Sequence, residues 1–107
     1  MAETNWEDKR SSKRVPVDLE ATISKGGDSF QGVIINCSLN GMFLRTSQKL
    51  ELSDIITISV LLPNQATPLM VRSTVIWTDW NPGNPGFGVH FVTIPDEHAE
   101  TLKEYLY

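Results

Sequence analysis

Arg10 and Arg14, in the stretch "RSSKR", are the side chains in this sequence best suited to binding an anion. A guanidinium presents planar, forked donors that match phosphate oxygens. It also donates to guanine O6 and N7, and it stacks on a base. Lys9 and Lys13 lie among them, so four of the nine Lys and Arg fall within six consecutive positions. The chain as a whole is acidic, with a formal net charge of -4. On a helical turn the two arginines would share a face; on an irregular arm they can close on a ligand from two sides. The same residues also fit a solvated basic arm with no ligand.

A second group with binding chemistry is "NCSLNG", residues 36–41. Asn36 offers an amide oxygen and an NH2 group. Ser38 lies two residues on, which in a strand places it on the same face. Gly41 tolerates a positive φ and leaves room for close approach of a ligand. The plain alternative is a strand end followed by a turn.

Catalytic chemistry is hard to assemble from the remaining residues. An enzyme needs a nucleophile with a base, a paired acid and base, or a metal cluster. Cys37 sits in a strand-like run with no partner in sight and reads as a buried thiol, since an activated thiol needs a specific microenvironment. His90, in "FGVHFV", is expected to point outward from a strand or to form one wall of a site. His98 falls in the first turn of a helix and is expected to be solvated. The two histidines and single cysteine have no metal-ligand spacing, and no Gly-rich loop precedes a helix.

Several short strands must position these residues. "VPVDLEATI" alternates, with Val15, Val17, Leu19, Ala21 and Ile23 on one parity, as in a half-buried strand. Pro16 suits the start of such a strand or an edge. "SKGGDS" reads as a hairpin turn. Further strands are predicted over "FQGVIIN", "MFLRT", "IITISVLLP", "LMVRSTVIWTD" and "FGVHFV". "SLNG" reads as a turn whose Asn and Gly take positive φ, and "WNPGNPG" as irregular structure. In "TIPDEHAETLKEYLY" the period changes: Ala99, Leu102 and Leu106 recur at helical spacing, with Thr93 as the expected cap and Asp96 and Glu97 in the first turn. Six short strands with close turns predict an antiparallel barrel or sandwich, with the helix packed on an end or side.

The bulk properties narrow the classes. A chain of 107 residues is expected to form one domain, and 40% hydrophobic residues is ordinary for a globular protein. A single cysteine excludes an internal disulfide framework. The N-terminal "MAETNWEDKR" lacks an apolar signal segment, and no stretch approaches the roughly 20 apolar residues of a membrane span. A cytoplasmic location is the expectation. Net negative charge argues against generic binding to DNA, RNA or membranes.

Taken together and in this order, RxxxR before a first barrel strand and (D/N)xSxxG closing the second resemble the PilZ domain, a bacterial receptor module for cyclic di-GMP. "PLMVRSTVIW", "FGVHF" and the terminal "EHAETLKEYLY" resemble the family's last strands and helix, so the likeness covers nearly the whole chain from about residue 9. The resemblance implies a mainly β fold: a six-stranded antiparallel split barrel over residues 15–107 with a short C-terminal helix, preceded by a flexible arm over residues 1–14. It implies that Arg10 and Arg14 contact phosphates and guanines, that Asn36 meets a guanine edge or positions the arm, and that Ser38 acts beside it. Gly41 would keep the turn open. Lys9, at a position associated with ligand stoichiometry, and Lys13 would add charge. Trp77 would flank a guanine, or else fill the barrel mouth. Asn36 replaces the commoner Asp, which implies weaker binding than in an Asp-bearing relative. The implied function is a non-catalytic sensor, with no cofactor besides its ligand, that signals to a downstream protein by ordering its arm. The alternative is a protein-binding adaptor that does not bind nucleotide.

Overall fold

The computed structural model describes residues 13–83 and 85–107. Six antiparallel strands close into a barrel: β1 (Val15–Lys25), β2 (Asp28–Cys37), β3 (Gly41–Arg45), β4 (Ile55–Val60), β5 (Leu69–Asp79) and β6 (Gly86–Thr93). Around the barrel the order is β1-β2-β3-β6-β5-β4, and β1 pairs with β4 to complete it. A helix, α1 (Asp96–Leu106), follows directly. The strand and helix readings therefore hold, and of barrel or sandwich the chain forms the barrel. Closure removes the edges that short strands would otherwise leave open to other chains.

Strand period sets the interior. In β1 the parity of Val15 to Ile23 faces inward, with Ala21 and Ile23 fully buried and Pro16, Asp18 and Glu20 exposed. Ile34, Leu44, Ile58, Val71, Val75, Phe87 and Val89 complete the centre. Burying one such side chain contributes about 1.5–3 kcal/mol. Pro16 occupies the second position of β1, beside a register irregularity, so its missing N–H breaks no regular run of the ladder. Gly26 and Gly27 make the β1–β2 hairpin. Gly26 alone has a positive φ, +60°, as a type II′ turn requires at its first central residue.

Helix α1 buries Leu102 and Leu106 in the core, and Ala99 on the same stripe is half-buried. Because β1 and β5 run parallel, their starts lie at one end of the barrel, and the helix is tied to both. The Tyr107 hydroxyl donates to the Lys13 carbonyl at 2.9 Å. His98 Nδ1 lies 3.1 Å from the Met70 N–H and accepts from it.

Two local readings change. Thr93 does not cap the helix: it is the last residue of β6, and Pro95 holds the N-cap position with no side-chain cap. Strand pairing with Arg72 holds Thr93 extended, and Pro then sets the turn into the helix. His98 is not simply solvated. It is half-buried against β5, where its ring nitrogen meets the Met70 N–H.

Candidate functional site

Two β-bulges build the site. Between β2 and β3 the register runs Ile34 to Leu44 and then Asn36 to Phe43, so Ile35 and Asn36 together oppose Phe43. Between β5 and β6 it runs Val75 to Val89 and then Trp77 to Gly88, so Ile76 and Trp77 together oppose Gly88. Phe43 and Gly88 are themselves partners on the β3–β6 ladder. Both bulges therefore fall on one row, which crosses four strands on the outer face of the barrel. A bulge adds a residue to one strand and re-aims its side chains. Here it turns Asn36 and Trp77 toward the same groove.

The groove is open, about 590 Å3 in volume, and lined by Arg14, Ile35, Asn36, Phe43, Arg45, Ile76, Trp77, Asp79 and Gly88. Phe43 and Trp77 meet over Gly88 with ring centroids 5.1 Å apart at 54°. The Arg45 guanidinium lies 5.2 Å from the Phe43 ring centre, within cation–π range. Trp77 is 50% exposed and does not fill the barrel mouth. Its strand also continues two residues beyond it, to Asp79.

Arg14 and Asn36 come together. The pairing of Val15 with Cys37 and Pro16 with Asn36 brings the start of β1 alongside the end of β2. Arg14 Nη1 then donates to Asn36 Oδ1 at 2.8 Å. Lys13 is exposed just before it. Arg10 and Lys9, with the rest of residues 1–12, lie outside the described residues.

Ser38 occupies a different place from the one strand parity implies. β2 ends at Cys37, and Ser38, only 2% exposed, is bonded into the turn that follows. Its Oγ accepts from the N–H groups of Asn40 at 3.1 Å and Gly41 at 3.2 Å. Its own N–H donates to the Gly41 carbonyl at 2.8 Å. The serine thus stitches the turn that the "SLNG" stretch forms. Neither Asn40 nor Gly41 has a positive φ. What Gly41 supplies is space: a Cβ there would overlap the Val89 carbonyl oxygen on β6. A second recess of about 300 Å3 adjoins the groove, with Arg14 and Ile76 lining both. Ser38, Asn40, Gly41, Val89 and His90 form the rest of its wall. His90 is exposed on that wall, in the outward position its strand parity implies.

Cys37 is a buried thiol, 2% exposed, as expected. Burial pushes its pKa up to about 12, against the opposing charge of Arg14. Such a thiol is not a nucleophile at neutral pH. Among the described residues there is no group of three or more His, Cys, Asp or Glu placed to hold a metal ion. No helix among them is long and apolar enough to cross a membrane.

Several lining residues escaped the sequence reading: Ile35, Phe43, Arg45, Ile76, Asp79 and Gly88. A signal existed for some. Phe43 and Arg45 share one strand parity, as do Trp77 and Asp79, and Gly86 and Gly88 leave one side of β6 bare. Which strands lie beside one another was the missing fact.

The family model described as the PilZ domain matches residues 8–107. This chain belongs to the PilZ domain family. Solved structures share the fold of this PilZ domain. The Bacillus subtilis inhibitor of motility MotI/DgrA aligns with a TM-score of 0.78 at 13% identity, over 92% of this chain and 49% of its own. Borreliella burgdorferi PlzA, solved in complex with c-di-GMP, aligns at 0.73 with 15% identity, over 99% of this chain and 44% of its own. The PilZ domain of CeSA from a cellulose-synthesizing bacterium aligns at 0.64 with 16% identity, over 89% and 95%. This PilZ domain spans less than half the length of the first two. No curated protein matches the sequence.

Proposed function

We propose that this PilZ domain is a receptor for cyclic di-GMP, bound where the RxxxR and NxSxxG motifs meet, and that it acts as a sensor and not as an enzyme. The observation that carries the reading is the 2.8 Å bond from Arg14 to Asn36, which joins the two motifs across strands β1 and β2. PlzA, whose fold this chain shares, was solved with that ligand.

In this reading Arg10 and Arg14 hold the phosphates and guanines, with charge from Lys9 and Lys13. Asn36 meets a guanine edge, Trp77 flanks a base, and Ser38 and Gly41 hold the corner in shape. A guanidinium has five N–H donors. Arg14 gives one to Asn36 and keeps others for a phosphate. Charge-assisted hydrogen bonds contribute about 1.5–3 kcal/mol each. Ordering an arm costs about 1–2 kcal/mol per residue. Arg14 stands at the start of an ordered strand and is already bonded, so little of that cost falls on it. The arm before it bears the rest, and its ordering is the signal that a downstream protein reads in the cytoplasm of a bacterium.

Titration calorimetry with cyclic di-GMP on wild type and Arg14→Ala tests the reading. Saturable binding that the substitution abolishes, with the ligand recovered intact, is the expected result. Wild-type protein that takes up no heat at any ligand concentration would leave the protein-binding adaptor in its place.

A further inference from the structure

The β3–β6–β5 register places a second polar pair on the groove, apart from both motifs. Arg45 pairs with Gly86, and Gly86 pairs with Asp79. The three form a row next to the Phe43–Gly88–Trp77 row, two residues further along each strand. Gly86 contributes no side chain, and the tip of the Phe43 ring lies over it, between Arg45 on β3 and Asp79 on β5. The position cannot be filled in, because a Cβ on Gly86 would sit 2.7 Å from both Phe43 Cζ and the Leu44 carbonyl oxygen. Both charged residues line the groove.

With neighbouring strands about 4.8 Å apart, the Arg45 and Asp79 backbones stand about 10 Å from each other. That span suits a purine laid over the Phe43 ring with one side chain at each end. The groups have opposite and complementary chemistry. A carboxylate accepts from the N1–H and N2–H donors of guanine, and a guanidinium donates to O6 and N7. Asp79 Oδ1 takes one hydrogen bond, from the Asn81 N–H at 3.3 Å, which leaves most of the carboxylate's acceptor capacity. The Arg45 guanidinium is positioned over Phe43. Adenine inverts this pattern, since its N1 accepts where guanine N1 donates and its N6 donates where guanine O6 accepts.

We propose that Arg45 and Asp79, facing each other across Gly86, read the edge of one guanine of the bound dinucleotide and so set its preference for guanine. The inference rests on the receptor reading above. Arg14 and Asn36 stand at the β2 side of the Phe43 row, and Asp79 at the β5 side of the Gly86 row, so the two groups occupy diagonally opposite corners of the groove. A ligand with two bases offers one to each corner.

The test uses cyclic di-GMP and cyclic di-IMP, whose hypoxanthine bases lack the N2 amino group but keep O6 and N7. Wild type is expected to bind cyclic di-GMP about tenfold or more tighter than cyclic di-IMP, the range of a charge-assisted hydrogen bond. Asp79→Asn should weaken cyclic di-GMP and close most of that gap, while cyclic di-IMP binding shows that the variant is folded. Arg45→Ala should weaken both ligands by similar factors. If wild type binds cyclic di-GMP and Asp79→Asn keeps the full gap, the guanine-reading pair is wrong and the receptor reading stands. If wild type binds neither ligand, both fall together.

Discussion

Replacing Gly41 by alanine tests the packing argument at its tightest point. The new Cβ would overlap the Val89 carbonyl oxygen and lie 3.2 Å from the carbonyl carbon. Both atoms belong to the backbone of β6, so no side chain can swing away. Strands β3 and β6 must part where Gly41 pairs with His90. The Phe91 N–H bond to the Asn40 carbonyl and the Ser38 N–H bond to the Gly41 carbonyl, each 2.8 Å, are exposed to that shift. Overpacking costs about 1–3 kcal/mol, and weakening the two hydrogen bonds removes part of the about 0.5–1.5 kcal/mol that each contributes. A loss of roughly 2–4 kcal/mol is expected. For a domain near this size each kcal/mol moves Tm by about 4–8 °C, so the melt should fall by roughly 10–30 °C. Thermal denaturation followed by circular dichroism measures it directly. A Gly41→Ala protein melting within about 3 °C of wild type would refute the claim that this glycine is kept for strand contact.

Asn36→Asp is expected to tighten cyclic di-GMP binding about fivefold, equivalent to about 1 kcal/mol. Arg14 already occupies Asn36 Oδ1, which leaves the amide NH2 to face the guanine donors; a carboxylate holds Arg14 with one oxygen and accepts from the base with the other. Calorimetry showing clear weakening would count against it. The Cys37 thiol carries a pH prediction. Its pKa is about 12 in the folded protein, against 9.0 for a free thiol, so folding favours the protonated form. That stabilisation is complete below about pH 9 and is lost as pH rises toward 12. Urea midpoints should therefore fall more steeply between about pH 8.5 and 10.5 in wild type than in Cys37→Ala; parallel slopes would contradict the burial argument.

Most of the architecture was legible in local pattern. Inward parity along β1, the Gly26–Gly27 turn, the exact span of β5 from Leu69 to Asp79 and the helical stripe of Leu102 and Leu106 each follow from period and turn chemistry. Local reading failed where tertiary contacts compete. Thr93 is held in a strand by its pairing, and His98 is drawn to the Met70 N–H of β5. Ser38 is bonded into the turn because β2 ends one residue before it.

The motifs, their order and the concentration of positive charge at Lys13 and Arg14 are properties of the chain alone, since they depend only on neighbouring residues. Their meeting is not. Asn36 and Trp77 reach one groove because two bulges happen to fall on the same row, and Arg45 and Asp79 line it together because β6 runs between β3 and β5. Register across non-consecutive strands is set by how the whole barrel closes, and a linear pattern carries no record of which strands become neighbours.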